Sequence, residues 1–181
     1  MNITLYGASR ENIDQTYKDA VEALGAEIAK RGHTMVFGAG GTGLMGAAAR
    51  GIRKNGGKII GVTPRFMHKL EPIYENCTEI IDTKTMSERK DMMEKLADAF
   101  IIVPGGIGTF DEFFQVLTLK SLGRFDKPII LFNVNNFFDN LLSVIGSDIF
   151  KGFINLSVAS CFNVSESPES TLDLIEKLTG K

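Results

Sequence analysis

Short apolar runs alternate with longer amphipathic segments along almost the whole chain. The apolar runs predict strands at 3–6, 34–37, 58–62, 78–81, 100–103, 128–132 and 160–164. The segments between them predict helices at about 13–30, 44–54, 88–96, 109–122, 137–149 and 170–178. Apolar strands that lack polar alternation and are separated by helices are typical of a parallel sheet covered on both faces. The chain is therefore predicted to form an α/β fold with a doubly wound, mostly parallel, Rossmann-like sheet.

The size and composition of the chain indicate one globular domain. Its 181 residues are enough to bury a substantial core, and no composition shift, low-complexity segment or internal repeat divides them. A net charge of -2 gives no reason to expect nucleic-acid binding. No window approaches the roughly 20 apolar residues of a membrane span, and the N-terminus lacks the pattern of a signal peptide. We expect a single domain over residues 1–181, cytoplasmic, with no nucleic-acid or membrane partner.

The cysteines and histidines do not suggest a metal site. Cys77 and Cys161 are far apart and have no Cys or His neighbour at metal-ligand spacing, so we expect reduced structural thiols. His33 follows the first predicted helix, at the sheet edge opposite the strand carboxyl ends, and is expected to be structural. His68 is expected to be a solvated loop histidine, with a role in a substrate lid as the alternative.

Residues 104–112 read Pro-Gly-Gly-Ile-Gly-Thr-Phe-Asp-Glu, between a buried strand and a helix. A glycine loop that enters a helix presents free backbone N–H groups and the positive end of the helix dipole, which together favour phosphate. Asp111 in the first turn is explained by that dipole. Glu112 would repel a phosphate, so we expect it to act on the sugar of a nucleotide.

A second glycine loop follows the second predicted strand. Gly38, Gly40 and Gly43 satisfy the dinucleotide pattern G-x-G-x-x-G in form. The pattern also requires an acidic residue at the end of the next strand, and that strand ends at Val62-Thr63-Pro64. We therefore expect no nicotinamide cofactor. The two glycine loops could line opposite sides of one crevice, although Gly43 and Gly46 could instead serve close helix packing.

The helix after the fourth predicted strand begins with a recognisable signal. Thr85 and Glu88 are spaced as a capping box, in which each side chain bonds a backbone N–H of the other's segment. Such a start would fix the position of Arg89 and Lys90, which directly follow Glu88.

The glycine motif and its surroundings resemble the Lonely Guy (LOG) family from about residue 7 to residue 153. The shared residues are Gly40-x-x-Gly43-Leu44-Met45-Gly46, Gly61-Val62-Thr63-Pro64, Met86 with Glu88-Arg89-Lys90, Asp98-Ala99-Phe100-Ile101 and Pro-Gly-Gly-x-Gly-Thr-x-x-Glu. Two loops depart from the family. Tyr6-Gly7-Ala8-Ser9 stands where Cys-Gly-Ser-Ser is usual, and Ala39 stands where glycine is common.

The resemblance implies a Rossmann-like homo-oligomer, usually a dimer. Family members hydrolyse the N-glycosidic bond of a cytokinin riboside 5'-monophosphate, or of AMP, to free base and ribose 5-phosphate. Many were labelled lysine decarboxylases, but pyridoxal-phosphate decarboxylases need a Schiff-base lysine and usually a much larger chain. The expected reaction needs no cofactor and no metal.

Glycosidic cleavage explains the charged residues of the motif. The sugar gains positive charge as the bond breaks, and a fixed carboxylate stabilises that state or orients the attacking water. Glu112 is therefore the first expected catalytic residue. Arg89 resembles the second catalytic residue of the family, and we expect it to stabilise and position charge because arginine does not readily give up a proton.

The resemblance also implies a set of residues that bind the substrate and its phosphate. These are Ser9, Gly40, Gly41, Thr42, Glu71, Lys90, Gly105, Gly106, Gly108, Thr109 and Thr118. Two of them have a plain alternative, since Glu71 could be an exposed loop carboxylate and Lys90 a solvated cation.

Three questions stay open at the level of the sequence. The same phosphate site could belong to a carrier or sensor that binds a nucleotide without cleaving it. The apolar residues Phe113, Phe114, Leu117 and Leu119 are explained equally by a dimer interface and by the core. Spacing does not show whether a prenyl group fits beside the base.

Overall fold

The computed structural model describes residues 1–180, which form a seven-stranded sheet and its flanking helices. The strands are β1 (Asn2–Tyr6), β2 (Thr34–Phe37), β3 (Lys58–Pro64), β4 (Glu79–Thr83), β5 (Ala99–Ile102), β6 (Ile129–Phe132) and β7 (Asn163–Ser165). The α-helices are α1 (Gln15–Lys30), α2 (Gly43–Lys54), α3 (Met86–Leu96), α4 (Ile107–Ser121), α5 (Asp139–Phe150) and α6 (Pro168–Thr179). Three short 3₁₀ helices lie at Arg65–Lys69, Val134–Asn136 and Leu156–Ser160.

Every pair of neighbouring strands runs parallel, in the order β4-β3-β2-β1-β5-β6-β7. The predicted doubly wound α/β fold is confirmed. The order reverses between β1 and β5, so the chain leaves these two neighbouring strands toward opposite faces of the sheet. Ligands of such folds bind outside the carboxyl ends of the strands at this point.

Each face of the sheet carries its own apolar core. Helices α1, α2 and α6 cover one face with residues such as Leu24, Ile52 and Ile175. Helices α3, α4 and α5 cover the other face, where Met93 and Phe113 are buried. Within residues 1–180, none of the helices is both long and apolar enough to cross a membrane.

Small residues bring α1 and α2 into close contact. A side chain at Gly25 would collide with the carbonyl of Ala48, and one at Gly51 would collide with the carbonyl of Glu22. Gly46 likewise lies against the backbone of Gly41. The packing explanation for Gly46 therefore agrees with the structure, and it holds the second glycine loop against its helix.

The apolar residues of α4 divide between the core and the surface. Phe113 and Leu117 are buried, Leu119 is half-buried, and 43% of Phe114 is exposed. The core explanation thus holds for the first two residues, while Phe114 lies on an outer face of the helix.

Candidate active site

A cavity of about 720 Å³ opens at the carboxyl edge of the sheet, above the reversal between β1 and β5. The loops after β1, β2 and β5 line it, so the two glycine loops do share one crevice. Nine of the residues named from the sequence line this cavity: Ser9, Gly40, Glu71, Arg89, Gly105, Gly106, Gly108, Thr109 and Glu112.

The N-terminus of α4 faces the cavity with unused hydrogen-bond donors. Gly106 is the N-cap residue and has no side chain to satisfy them. The first backbone bond of the helix runs from Phe110 N–H to the carbonyl of Gly106. The N–H groups of Ile107, Gly108 and Thr109 have no acceptor among residues 1–180. Three such donors at a helix start form a ready anion site.

The glycines of this loop differ in what a side chain would meet at each position. A side chain at Gly105 would collide with the side chain of Thr109. Gly106 and Gly108 are exposed, and a Cβ atom at either position would meet no other atom of the protein within 4 Å. A side chain at these two positions would therefore occupy space in the cavity without disturbing the fold.

The N-terminus of α2 is different because the protein itself occupies it. The carboxylate of Glu11 accepts from Gly43 N–H at 3.1 Å, and the carbonyl of Ala8 accepts from Leu44 and Met45 N–H at 2.9 and 3.2 Å. The first three N–H groups of α2 are therefore already used within the chain. The structure thus supplies a second reason why G-x-G-x-x-G at 38–43 is not a dinucleotide site.

Gly41 and Thr42 connect loops and do not line the cavity. Gly41 N–H donates to the carbonyl of Pro72 at 2.8 Å, and the hydroxyl of Thr42 donates to the carbonyl of Ser9 at 2.6 Å. Because the Gly41 N–H and the Thr42 hydroxyl already bond neighbouring loops, these two residues support the walls of the cavity, and their direct contact with a phosphate stays a prediction.

Glu112 and Arg89 form an ion pair inside the cavity, with Arg89 Nη1 and Glu112 Oε1 2.9 Å apart. Only 7% of Glu112 is exposed. The Nε of Arg89 also donates to the carbonyl of Val62 at 3.3 Å, and the guanidinium lies in the space left by Gly38. These contacts hold the arginine across the ends of β2 and β3.

Burial raises the pKa of Glu112 to about 7, although Arg89 lowers it through its charge and hydrogen bond. A carboxyl group with such a pKa changes its protonation near neutral pH. That is the range in which a general base works best.

The start of α3 positions Arg89, with one difference from the capping box expected. The hydroxyl of Thr85 accepts from Glu88 N–H at 3.1 Å, as predicted. The carboxylate of Glu88 instead accepts from Lys84 N–H at 2.8 Å, one residue before the N-cap. Two side-chain hydrogen bonds therefore fix the N-terminus of α3, but the reciprocal bond from Thr85 N–H to Glu88 does not form.

Lys90 and Thr118 lie outside the cavity. Lys90 Nζ forms an ion pair with Asp111 at 3.0 Å, and Thr118 is exposed on α4. The structure does not bring either residue to the site within one chain.

Both histidines lie next to acidic side chains. His33 Nε2 is 3.1 Å from the carboxylate of Glu176, and His68 Nε2 is 3.1 Å from that of Asp82 on β4.

Several cavity residues were not identified as site residues from the sequence: Arg10, Ile13, Tyr17, Thr63, Met67, Met86, Ile107 and Phe137. Arg10 directly follows Ser9 in the loop after β1, so its position after a strand was the available signal. Tyr17 and Phe137 meet edge to face with ring centroids 6.1 Å apart. That contact depends on β6 lying beside β5, which no local pattern reveals.

Solved structures with the same fold come from several organisms. A molybdenum cofactor binding protein from Rippkaea orientalis aligns with a TM-score of 0.74 and 22% identity, over 98% of this chain and 96% of that one. A Moco carrier protein from Chlamydomonas reinhardtii aligns with a TM-score of 0.75 and 20% identity, over 99% and 97%. At this identity the likeness concerns the fold alone.

Curated relatives are much closer in sequence. Cytokinin riboside 5'-monophosphate phosphoribohydrolase LOG2 from Arabidopsis thaliana is 33% identical over 99% of this chain and 84% of its own length. The phosphoribohydrolase LOG from Oryza sativa subsp. japonica is 39% identical over 84% of this chain and 63% of its own length. Residues 45–175 match the family model described as possible lysine decarboxylase. The motifs, the fold and these relatives agree, and the chain belongs to the Lonely Guy family, whose curated members are named phosphoribohydrolases.

Proposed function

We propose that this protein hydrolyses the N-glycosidic bond of a purine nucleoside 5'-monophosphate and releases the free base and ribose 5-phosphate. The observation that carries this proposal is the buried Glu112–Arg89 ion pair in the same cavity as the free donors of α4. A site that only bound a phosphate would gain nothing from a buried carboxylate nearby, because the two anions repel each other.

The phosphate of the substrate binds at the N-terminus of α4. Its oxygens accept from the N–H groups of Ile107, Gly108 and Thr109, where the helix dipole also favours negative charge. The ribose then extends from the first turn of α4 toward Glu112, one turn further along the same helix. Helix geometry therefore sets the distance between the phosphate site and the carboxylate.

Glu112 acts on the sugar and Arg89 on the charges around it. The ionised carboxylate accepts a proton from the attacking water or stabilises the positive charge that develops at C1'. Arg89 holds the carboxylate through its 2.9 Å contact and offers its remaining N–H groups to the departing base. The hydroxyl of the water adds to C1', and the proton that the water loses passes to the departing base, which leaves as a neutral molecule.

The relatives' names include cytokinin riboside 5'-monophosphates, and we propose substrates of this kind, AMP, or both. Met67 and Met86 line the same cavity as Arg89 and supply apolar surface there. Flexible methionine side chains suit an irregular apolar group such as a prenyl chain. A cavity of about 720 Å³ lies within the usual range for small-molecule sites.

We further propose that the protein is a cytoplasmic homodimer. The outer face of α4 carries the exposed side chains of Phe114 and Thr118, and Met86 is also exposed at the start of α3. A second copy packed on this face would bury these apolar groups. In such a dimer the exposed Thr118 of one copy could lie near the cavity of the other copy.

The proposed function is tested by incubating the protein with AMP, isopentenyladenosine monophosphate and adenosine, and by following base release with chromatography. We expect base release from the two monophosphates and much slower release from adenosine. Binding of both monophosphates without cleavage would contradict hydrolysis and support the carrier alternative. Equal cleavage of adenosine and AMP would contradict the phosphate site.

A further inference from the structure

The charged residues that line the cavity are two cations and two anions, but only one cation and one anion are in contact. Four charged residues line it, and Arg89 and Glu112 neutralise each other. Among residues 1–180, Arg10 has no carboxylate within ion-pair distance, and Glu71 has no cationic group within that distance. The carboxylate next to Arg10 in sequence belongs to Glu11, which is already paired elsewhere. Arg10 is thus the cavity's one cation without a counter-charge in the part of the chain that the structure describes.

Glu11 is held away from Arg10 by two contacts. Its carboxylate pairs with Lys18 Nζ at 2.9 Å and accepts from Gly43 N–H at 3.1 Å. These contacts lower the pKa of Glu11, with the Lys18 hydrogen bond as the largest cause. The acid therefore stays ionised and occupied at neutral pH, and the guanidinium of Arg10 is left available to a ligand.

The loop that carries Arg10 is fixed beside the phosphate site. Ala8 N–H donates to the carbonyl of Pro104 at 3.1 Å, which joins the loop after β1 to the loop that begins α4. The Arg10 carbonyl packs against Gly43, whose φ of 58° and lack of a side chain permit that approach. Arg10 therefore lines the cavity from the β1 loop, while the free N–H groups of Gly108 and Thr109 line it from the β5 loop.

We propose that Arg10 is a specificity-determining residue that binds the 5'-phosphate of the substrate from the β1 loop, beside the start of α4. This assignment rests on the proposed function and deepens it. The α4 donors are neutral groups, whereas the phosphate dianion requires compensating charge as it leaves water. A guanidinium provides that charge and several donors in a geometry that matches phosphate oxygens. Arg10 makes the site select nucleotides over nucleosides.

The assignment predicts a specific kinetic pattern for Arg10→Ala. We expect KM for AMP to rise tenfold or more, while kcat changes less than threefold, because Arg10 touches a group remote from the bond that breaks. Inhibition by inorganic phosphate should weaken by a similar factor, and inhibition by adenine should not change. Arg10→Lys should show a KM for AMP between those of the unmodified protein and Arg10→Ala, since lysine keeps the charge but lacks the forked set of donors of a guanidinium.

Arg124→Ala is the matched control, because Arg124 is exposed, lies outside the cavity and carries the same charge. Equal effects of the two substitutions on KM would overturn the proposal, as would a loss of kcat with unchanged KM in Arg10→Ala. Equilibrium titration with AMP and with inorganic phosphate separates this question from turnover. If AMP binds but is not cleaved, a weaker affinity in Arg10→Ala still supports Arg10, and equal affinity overturns it. Failure of the unmodified protein to bind either ligand overturns it as well.

Discussion

Glu112 is under two opposing influences, burial that favours its neutral form and Arg89 that favours its charged form. Burial is the larger, and the pKa rises to about 7. The sequence pointed to Glu112 through its place in the glycine motif and to Arg89 through the resemblance to the Lonely Guy family. It did not indicate their 2.9 Å contact, because α3 and α4 are brought together only by the sheet order.

The raised pKa predicts the pH dependence of the reaction. The proposed mechanism requires ionised Glu112, so kcat/KM for AMP should increase with pH up to about 7 and level off above it. The pKa of Glu112 lies above the second pKa of the substrate phosphate, about 6, so the two ionisations can be distinguished in the pH profile. Initial rates between pH 5 and pH 9 test it. A rate that falls with rising pH over this range would assign the opposite protonation state to the active enzyme.

The same shift predicts how Glu112 affects stability. The carboxyl group of Glu112 binds its proton more tightly in the folded protein than in the unfolded chain, where its pKa is about 4.5. Stability is therefore lost as pH rises from about 4.5 to about 7 and Glu112 ionises in the folded state. Glu112→Gln has no carboxyl group at this position and does not lose this stability. The free energy of unfolding of the variant minus that of the unmodified protein should therefore increase by up to about 3 kcal/mol from pH 5 to pH 8. Urea unfolding at both pH values measures the difference, and a constant difference would refute the raised pKa.

At the scale of elements, two helices begin with glycine loops and only one of them is free to bind an anion. The donors of α2 are used by Ala8 and Glu11, whereas three donors of α4 have no acceptor among residues 1–180. Sequence patterns predicted both loops but could not separate their roles. The distinction depends on a carboxylate and a carbonyl that reach α2 from more than 30 residues earlier.

Most helix and strand boundaries were predicted within about two residues because the apolar periodicity is strong. The last strand is the clearest exception. It was expected at 160–164 and is found at Asn163–Ser165, because Leu156–Ser160 forms a 3₁₀ helix capped by Asn155. A short capped turn of this kind carries too few apolar residues to give a periodic signal.

The role of α4 predicts opposite effects of one substitution on stability and function. Gly108→Ala should raise the free energy of unfolding by up to about 1 kcal/mol, since alanine is the better helix former and the new methyl group meets no protein atom. The methyl group should also obstruct the phosphate site and raise KM for AMP at least tenfold. Thermal unfolding and steady-state kinetics measure the two effects.

Gly146 offers a control inside another helix. It lies in α5 with open space around it and outside the cavity. Gly146→Ala should therefore stabilise the protein without a change in KM. If Gly108→Ala also leaves KM unchanged, the phosphate does not bind at the start of α4.

At the scale of the whole molecule, the cavity results from the reversal of strand order between β1 and β5. The alternation of elements predicts such a fold, and the fold predicts where a ligand binds. It does not predict which later loop reaches the same cavity. Phe137 follows β6 and meets Tyr17 of α1 only because β6 lies next to β5, and sequence reasoning therefore missed both.

The exposed face of α4 predicts the oligomeric state. Phe114→Glu places a charge where a second copy is proposed to pack, and it should convert a dimer into a folded monomer. Sedimentation velocity and circular dichroism measure assembly and folding. Leu178→Glu is the control, since Leu178 is 50% exposed on α6, which packs against the opposite face of the sheet, and this variant should remain dimeric. Dimers of unchanged stability in Phe114→Glu would exclude this face as the interface.

The central claim is that Glu112 makes a nucleotide-binding cavity cleave a glycosidic bond, and Glu112→Gln tests it most directly. Base and ribose 5-phosphate released from AMP or isopentenyladenosine monophosphate should be quantified together for both proteins, with nucleotide affinity measured in parallel. We predict equal amounts of the two products from the unmodified protein. We predict a loss of at least 100-fold in kcat for Glu112→Gln, with nucleotide affinity within about tenfold. Undiminished release of base by Glu112→Gln would contradict the account.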